Sequence, residues 1–520
     1  MTAPAEASQP SSDVRLVHIV QWFLGVMVGL QFLYFLLYSW LMIIFPGQLD
    51  YGEGPILQLA LRAARGQSLY PPLDQGCAIA SYLPFYYLLS ALAAKITGPS
   101  FAGGRLISAL AAVTIAVCVG LIVHHRTKGR YAAVVAGGTV LAIPVFLVWA
   151  TLMRIDMVAL ACSVAGFCLF DRGKRLPGIV FFALGVFTRW TNIAAIAAAL
   201  AGLVLQRKWK EAFGWAAAQL ALIVALVIGA HLITRGGMYE QLRWHTSTSL
   251  GKSWGWFQVY DLLHKGWLNW PVYYVVSAVG TIWCLARRQH WALAIWSLGA
   301  WAIYLTSGRI GSTYNYFLEP FAVGMVCVGV LMAESLRPAL APREAGPDRQ
   351  TGSPPYHTAV GRALGLAAMG ALALQMVRTD TRMPQTLQVI RPYASGAASK
   401  AVVEILRQSP GMVMCEDVGL IELAGKEVPF DPFEFTMLSR AGAIKAEPVL
   451  EDVRRGRFSV FVTRFDVKQI AAVIGNPRFG FVFDRFPEEM VLALLDRYEL
   501  AAVELPYYVY VPKAGGEAPS

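Results

Sequence analysis

Charged residues are scarce in this chain of 520 residues, and apolar residues dominate it. Only 15% of the residues are charged, 56% are hydrophobic, and the mean hydropathy is +0.50. An average soluble domain carries about 25% charged residues. The shortage of charge therefore excludes a chain made of ordinary soluble domains, and it predicts one polytopic membrane domain with a smaller soluble part.

Motifs of several soluble enzymes and metal sites are also absent from the sequence. It contains no phosphate-binding GxxxxGKS or GxxxxGKT loop, no HExxH and no dinucleotide-binding glycine motif after a strand. The seven cysteines form no CxxC pair, and no two of the eight histidines stand at helical metal-ligand spacing beside an acid. The sequence therefore contains no motif that would indicate a nucleotide cofactor or a zinc site.

Long apolar runs predict about eleven transmembrane helices, because a helix needs about 20 apolar residues to span a bilayer. The first run begins at Val17 and is too long for a cleaved signal peptide, so we interpret it as a retained helix. A single helix around Arg189 would bury that charge at the bilayer centre, so we expect two helices joined by an outward turn there. The other runs begin near Ser100, Tyr131, Met157, Pro177, Asn192, Phe213, Trp270, Trp291, Tyr314 and Thr358.

The positive charges predict the orientation of these helices. The formal net charge is +11, and Lys and Arg concentrate in short loops such as HHRTKGR (124–130), DRGKR (171–175) and QRKWK (206–210). Cytoplasmic loops carry most Lys and Arg, and these loops all face inward if the apolar segment after Cys77 lies in the interface instead of spanning. No basic stripe alternates with aromatic residues, so we expect no nucleic-acid partner.

Two polar parts of the chain interrupt or follow the apolar runs. Residues 337–355 (RPALAPREAGPDRQTGSPP) are typical of a flexible cytoplasmic linker. Beyond about residue 395, GMVMCEDVGL, FSVFVTRF and PYYVYVP predict strands, and AVVEILRQ and PEEMVLALLDRY predict helices. The predicted fold is an α-helical polytopic membrane protein, with a transmembrane domain at 1–380 and a small extracytoplasmic α/β domain at 395–515.

Under this topology, polar residues from separate loops meet at the outer face of the membrane. Charged residues at or inside the bilayer edge are functional candidates. The alternative is that Arg189 and Arg309 extend to lipid headgroups and that Asp50 is a solvated loop residue. The outward set comprises Asp50, Glu53, Arg154, Asp156, Arg189, Lys252, Arg309, Tyr314, Asn315 and Glu319.

These residue types suit the transfer of a sugar from a lipid phosphate. A carboxylate can remove a proton from an attacking hydroxyl or amine. A guanidinium group is always charged and can form paired hydrogen bonds with phosphate oxygens. A cavity within the membrane can hold a long lipid tail, so the set predicts a membrane enzyme that acts on a lipid-linked sugar.

Several stretches, taken in order, resemble the GT-C superfamily of integral-membrane glycosyltransferases. The similarity is to the branch that contains the lipid A aminoarabinose transferases and the protein O-mannosyltransferases, known as family 39-like. It covers roughly residues 17–335. The stretches are DYGEGPILQLALRAARGQSLY, SYLPFYYLLSALAAKITG, GGRLISAL, MRIDMVAL, ALGVFTRWTN and SGRIGSTYNYFLEP.

The resemblance implies roles for these residues. In that family an acid in the first outward loop is the catalytic base and a second acid lies in the next outward loop, so Asp50 or Glu53 would be the base and Asp156 its partner. Many members have two adjacent acids in the first loop, whereas Asp50 and Glu53 are separated by two residues here, which leaves the base open between them. The basic residue expected to hold phosphate matches Arg189.

We therefore predict an inverting glycosyltransferase of the plasma membrane, the inner membrane of a bacterium, with its site outside the cytoplasm. The donor would be a polyprenyl-phosphate sugar, and the acceptor a glycan, lipid or protein. Phosphate would be held by Arg154, Arg189, Arg309 and Lys252, and substrate by Tyr314, Asn315 and Glu319. No cofactor is expected, although two acids near a phosphate could bind a divalent cation. The alternatives are a transporter or flippase of a lipid-linked saccharide, and a non-catalytic scaffold.

Overall fold

A computed structural model describes residues 12–73, 79–250, 254–309, 312–340, 355–394, 396–476 and 483–513. Helices make up most of this part of the chain, and four strands form one small sheet near its C-terminal end. The helices of the larger, N-terminal part are α1 (Ser12–Ile43), α2 (Glu53–Ala64), α3 (Phe85–Thr97), α4 (Ala102–Thr127), α5 (Arg130–Ala142), α6 (Pro144–Ala150), α7 (Ile155–Asp171), α8 (Arg175–Val186), α9 (Ala194–Leu205), α10 (Trp209–Ile233), α11 (Gly237–Leu250), α12 (Trp256–Asn269), α13 (Pro271–Leu285), α14 (Trp291–Tyr304), α15 (Leu318–Leu340) and α16 (Pro355–Ala394).

A helix lies at each of the eleven segments that the sequence predicts to span. Within the described residues, five helical segments are long and apolar enough to cross a membrane, or up to seven if each of two bent helix pairs is one span. Three shorter apolar helices, α3, α8 and α9, add to them. The helical membrane architecture is therefore confirmed, whereas the number of eleven spans stays a prediction.

Small residues allow the helices of this bundle to pack closely. A Cβ on Gly280 of α13 would lie 2.7 Å from the backbone nitrogen of Val328 on α15. A Cβ on Gly137 of α5 would overlap with the carbonyl oxygen of Ala116 on α4. Helices within a bilayer associate through van der Waals packing of this kind, because the hydrophobic effect does not drive them together in lipid.

Two prolines mark sharp bends in the bundle. Pro144 begins α6, which is bent by 67° from α5, and Pro271 begins α13, which is bent by 101° from α12. Proline is favoured at the first helical position because its missing N–H would have no helical partner there. The bend before α6 matters for the site, because α6 leads directly into the loop that carries Arg154.

The C-terminal lobe, residues 396–513, has a hydrophobic core separate from that of the helical bundle. Its sheet has the order β1-β2-β4-β3, with β1 and β2 parallel and the other neighbours antiparallel. The sequence predicted β1, β2, β4, α17 and α22 but missed β3, whose side chains are mostly exposed, and four short helices that lie between β1 and α22. The stretch GMVMCEDVGL is a strand only up to Cys415, and its last residues begin the first of these helices. The elements of the lobe are α17 (Ala397–Gln408), β1 (Met412–Cys415), α18 (Val418–Leu423), α19 (Pro432–Arg440), α20 (Glu447–Arg454), β2 (Phe458–Thr463), α21 (Val467–Ala471), α22 (Glu488–Arg497), β3 (Tyr498–Glu504) and β4 (Tyr507–Pro512).

Candidate active site

Most of the residues predicted to form a site lie at helix ends or in the loops between helices. Asp50 lies between α1 and α2, Arg154 precedes α7, and Asp156 is in the first turn of α7. Arg189 lies in the turn between α8 and α9, and Asn315 lies in a 3-10 turn before α15. The structure brings these five side chains together, and we call them the carboxylate–arginine network.

Asp50 is the most exposed member of the network, with 37% of its side chain accessible. Its Oδ2 accepts hydrogen bonds from the backbone amide of Gly52 and from Nη1 of Arg154, both at 2.9 Å. Among the described residues, Oδ1 has no hydrogen-bond partner. A Cβ on Gly52 would overlap with the guanidinium of Arg154, so glycine at this position leaves room for the Asp50–Arg154 ion pair.

Arg154 connects Asp50 to a second, buried carboxylate. Nε of Arg154 lies 3.7 Å from Oδ2 of Asp156, whose side chain is only 1% exposed. Asp156 Oδ1 accepts hydrogen bonds from Nη1 of Arg189 at 2.8 Å and from Nδ2 of Asn315 at 2.7 Å. A buried charge is tolerated when it is paired and hydrogen-bonded, so Asp156 fixes the two arginines and the asparagine around itself.

A pocket adjoins the network on the side of α15. It is a small cavity of about 20 Å³, lined by Asp156, Arg189, Thr191, Asn192, Asn315, Tyr316 and Glu319, together with apolar residues of α7, α14 and α15. Oε1 of Glu319 accepts a hydrogen bond of 2.9 Å from the indole N–H of Trp296. The guanidinium carbon of Arg189 lies 4.8 Å from the centre of the Tyr316 ring. The lining of the pocket thus mixes charged and polar side chains with apolar ones.

Arg309 lies beside a cluster of aromatic rings next to the network. Its guanidinium carbon is 5.6 Å from the centre of the Trp190 ring, and Trp190 follows Arg189 in the chain. The imidazole of His245 on α11 lies near Arg309 and 6.0 Å from the Tyr82 ring. Burial and the nearby Arg309 charge lower the pKa of His245 to about 4, so this imidazole is neutral at physiological pH.

Glu53 has a different environment from Asp50. Its side chain and that of Arg105 are both fully buried and form a paired contact, with Arg105 Nε to Oε1 at 2.8 Å and Nη2 to Oε2 at 2.7 Å. The backbone amides of Met153 and Leu49 also donate to Glu53, at 2.8 and 2.7 Å. Both carboxylate oxygens are therefore engaged by the protein itself.

Arg105 uses its remaining N–H groups for hydrogen bonds to the end of α1 and to the segment that follows it. It donates to the backbone oxygens of Met42, Phe45 and Gly47, at distances of 2.7 to 3.0 Å. The Glu53–Arg105 pair therefore joins the end of α1, the start of α2, the start of α4 and the loop before α7. This geometry suits a structural role and does not suit the proton acceptor that the sequence left open for Glu53.

Solved structures share the whole architecture. Aligned with ArnT from Cupriavidus metallidurans, in a crystal structure bound to undecaprenyl phosphate, the chain has a TM-score of 0.57 and 13% identity over 95% of its own length and 99% of ArnT. The archaeal oligosaccharyltransferase AglB from Archaeoglobus fulgidus, in complex with an inhibitory peptide and a dolichol-phosphate, gives a TM-score of 0.50 and 13% identity, over 95% of this chain and 74% of AglB. The chain has a GT-C fold.

The GT-C fold confirms the resemblance that the ordered sequence stretches predicted. It also makes the chain a multi-pass membrane protein, in agreement with its long apolar helices. No protein-family model and no curated protein matches the chain, so the relationship rests on structure. At this level of identity the likeness defines the fold, and the activity has to be inferred from the site.

Apart from Glu53, which pairs with Arg105, the predicted site residues fall into three groups. The network and the adjoining pocket gather Asp50, Arg154, Asp156, Arg189, Asn315 and Glu319, with Arg309 beside them. Tyr314 instead packs edge-on against Trp270, with ring centres 5.3 Å apart, and it is Tyr316 that lines the pocket. Lys252 lies outside the described residues, so its predicted role in phosphate binding stays a prediction.

Sequence reasoning missed two residues that shape this site of the GT-C fold. Arg105 stands in GGRLISAL, one of the stretches that carried the resemblance, and a charge in the first turn of an apolar helix is the signal that marks it. Tyr82 lies near the charges of Arg154, Asp156 and Arg189. It belongs to the apolar segment after Cys77, which the distribution of Lys and Arg predicts to lie in the membrane interface.

Asp431 of the C-terminal lobe accepts a hydrogen bond from the hydroxyl of Tyr51, the neighbour of Asp50, and its raised pKa predicts that the stability of the folded chain depends on pH. Burial, helped by the charge of Glu434, raises the pKa of Asp431 to about 7. A carboxyl whose pKa is raised by folding stabilises the fold below its unfolded pKa of about 4, and this contribution is lost as the pH rises through about 7. The Asp431→Asn variant cannot ionise, so we expect it to raise the apparent melting temperature above wild type by more at pH 8 than at pH 5.

Thermal unfolding of the purified full-length chain in detergent measures this difference. The matched control is Asp452→Asn, which removes a carboxylate that pairs with Arg457 elsewhere in the lobe. An increase that is the same at both pH values would contradict the expectation.

Proposed function

We propose that this protein transfers a sugar from a polyprenyl-phosphate donor to an acceptor outside the cytoplasm. The observation that supports the proposal most is the network itself, in which one open carboxylate oxygen lies beside a cluster of arginines in a GT-C fold. Within the network and its neighbour Arg309, three arginines face the two carboxylates Asp50 and Asp156, which leaves one positive charge in excess before the pocket residue Glu319 is counted. A phosphate group would complement that excess.

Asp50 is the base in this proposal. Its Oδ1 is open, whereas both oxygens of Glu53 accept hydrogen bonds from Arg105 and the backbone. Oδ1 takes the proton of an acceptor hydroxyl or amine as the acceptor atom attacks the anomeric carbon. The bond from that carbon to the phosphate oxygen breaks, and its electron pair leaves with the polyprenyl phosphate. A single displacement of this kind inverts the anomeric configuration.

The arginines stabilise the charge that develops on the leaving phosphate. Asp156 holds Arg189 at 2.8 Å, and Arg154 lies between the two carboxylates. Preorganised charges aimed at a developing charge are worth more in a site that excludes water. Asn315 and Glu319 would contact the donor sugar from the pocket wall, and no step of this scheme needs a metal ion.

The solved structures support the substrate class by analogy. The ArnT structure is bound to undecaprenyl phosphate and the AglB structure to a dolichol-phosphate. We propose that this chain binds a lipid of the same kind within its bundle. We also propose that the protein lies in the plasma membrane of a bacterium, with the C-terminal lobe outside the cytoplasm.

Replacing Arg189 by lysine is expected to lower kcat/KM for the lipid-linked donor by about 10- to 100-fold. Lysine keeps the positive charge but loses the planar fork that binds Asp156 and phosphate oxygens together. Transfer kinetics with a short-chain polyprenyl-phosphate sugar measure the effect. Arg288→Lys, on a loop between α13 and α14, is the matched control, and equal kinetics of both variants would contradict a role of Arg189 at the phosphate.

Alkaline-phosphatase fusions test the orientation. The proposal places residue 98 outside and residue 129 inside, because α4 is the only long helix that lies between them in the described chain. A fusion at Gly98 should be active and a fusion at Gly129 inactive. The reverse result would put the network on the cytoplasmic face.

The enzyme assay is the direct test of the proposed function. Purified protein is given radiolabelled polyprenyl-phosphate sugars together with a membrane extract, and labelled acceptor is separated from labelled donor. Transfer that depends on Asp50 supports the proposal. Movement of the intact lipid-linked sugar across vesicles, without transfer, would instead identify a flippase.

A further inference from the structure

The first turn of α19 in the C-terminal lobe contacts two segments that border the network. Oδ1 of Asp431 accepts hydrogen bonds from the Tyr51 hydroxyl and from the backbone amide of Glu434. Oε1 of Glu434 accepts one of 2.8 Å from the hydroxyl of Ser81. Tyr51 follows Asp50 in the chain, and Ser81 precedes Tyr82. Each contact therefore ends one residue away from the site.

Further contacts hold the Asp50 loop against the lobe. The Tyr51 ring lies 4.9 Å from the guanidinium carbon of Arg485 and packs edge-on against Phe433 at 5.7 Å. The buried amide of Gln48 donates to Asp417 at 3.3 Å and accepts from the backbone of Gly419 at 3.1 Å. The loop thus meets the lobe through both a ring and hydrogen bonds.

The lobe residues that make these contacts are themselves fixed on its sheet. Arg485 pairs with Glu416, and Asp417 accepts a hydrogen bond of 2.8 Å from the Tyr507 hydroxyl. The hydroxyl of Thr436, on α19, donates to the backbone oxygen of Arg485 at 2.8 Å. Glu416 and Asp417 directly follow β1, and Tyr507 begins β4. These bonds fix the part of the lobe that contacts the loop, so the position of the lobe can determine the position of the loop.

We propose that the C-terminal lobe positions the catalytic base, and that Tyr51 and Ser81 are the positioning residues through which α19 acts. The inference rests on the proposed function, since it assigns a role to the lobe in that same reaction. The neighbours of Asp50 and Tyr82 in the chain are then held by two acceptors, Asp431 and Glu434, at the start of one helix. Neither Tyr51 nor Ser81 touches substrate in this scheme.

A base that moves by about 1 Å can lose on the order of 100-fold in rate. Tyr51→Phe keeps the ring against Arg485 and Phe433 but removes the hydrogen bond to Asp431. We expect kcat to fall about 10- to 100-fold, with little change in KM for the donor, because a hydrogen bond to a charged group is worth roughly that factor. Ser81→Ala, which releases the second segment, should show a smaller fall in kcat.

Hydrogen–deuterium exchange of the full-length protein in nanodiscs provides a readout that does not depend on activity. In Tyr51→Phe, amides of residues 48–54 should exchange about tenfold faster, since they lose one hydrogen bond to a charged group. In Ser81→Ala, the increase should fall on residues 79–84. Asp431→Asn keeps an oxygen that accepts from Tyr51, so it should retain the protection of residues 48–54.

Tyr508→Phe is the matched control, because Tyr508 is a half-buried tyrosine on β4 whose side chain alternates with that of Tyr507 and so lies on the opposite face of the sheet. Exchange and kcat of Tyr51→Phe that both equal those of Tyr508→Phe would overturn the proposal. Faster exchange with unchanged kcat would also overturn it, because the loop would then be loosened without consequence for the reaction. A wild-type protein without transfer activity would overturn the proposed function instead, and exchange would still decide whether α19 holds the two segments.

Discussion

Asp50→Asn is expected to lower the rate of sugar transfer by about 10²- to 10⁴-fold, the contribution of a positioned general base. Asparagine has nearly the same shape and still accepts hydrogen bonds from Gly52 and Arg154, but it cannot take a proton. The Asp50 side chain is partly exposed, so the free energy of unfolding should change by no more than about 1 kcal/mol. Initial rates and thermal unfolding of the same preparation give both quantities.

Asp261→Asn is the control for this substitution, because Asp261 pairs with Lys265 on α12, away from the network. Its transfer rate should match wild type. An Asp50→Asn variant that keeps a tenth or more of the wild-type rate would remove Asp50 as the base. The assay should use saturating donor, so that a change in KM does not hide a change in kcat.

Arg105→Met is expected to destabilise the protein by about 3–5 kcal/mol, the usual cost of removing one partner of a buried ion pair. The substitution leaves the Glu53 carboxylate uncompensated, and it also strips the backbone oxygens of Met42, Phe45 and Gly47 of their donor. We expect a large fall in apparent melting temperature in detergent. Glu53→Gln should also lower the melting temperature, but by less, since the amide keeps one acceptor oxygen.

Arg175→Met provides the comparison for an exposed pair. Arg175 and Glu211 are 2.6 Å apart at the surface, with 36% and 46% of their side chains accessible. Such a pair contributes at most about 1 kcal/mol. If Glu53→Gln melted like wild type but lost transfer, Glu53 would be the base and the structural role assigned to it would be wrong.

The helices and the fold were predictable from sequence because their signals are local. Apolar length marks a candidate spanning helix, and a helix lies at each predicted segment. The order of short polar stretches predicted the GT-C resemblance, which the structure confirms. β3 was missed because an edge strand with exposed side chains has no apolar pattern to reveal it.

The site was predictable only in part, because its decisive contacts join distant residues. Asp50 and Glu53 are three residues apart and look alike in sequence, yet Glu53 pairs with Arg105, 52 residues away, and Asp50 pairs with Arg154, 104 residues away. Tyr314 and Tyr316 differ by two positions, and the 3-10 turn decides which of them faces the pocket. Tyr51 and Asp431 are 380 residues apart in the chain, so no local sequence pattern could predict their contact.

The Glu53–Arg105 pair has one more consequence, which concerns the entropy of the reaction. The pair ties the Asp50 loop to three other segments through hydrogen bonds that exist without substrate. Ordering the backbone of that loop costs about 1–2 kcal/mol for each residue. This cost therefore arises once, when the chain folds. In the proposed reaction, each turnover then begins with Asp50 already in place, so that donor binding has to order only the lipid and the sugar.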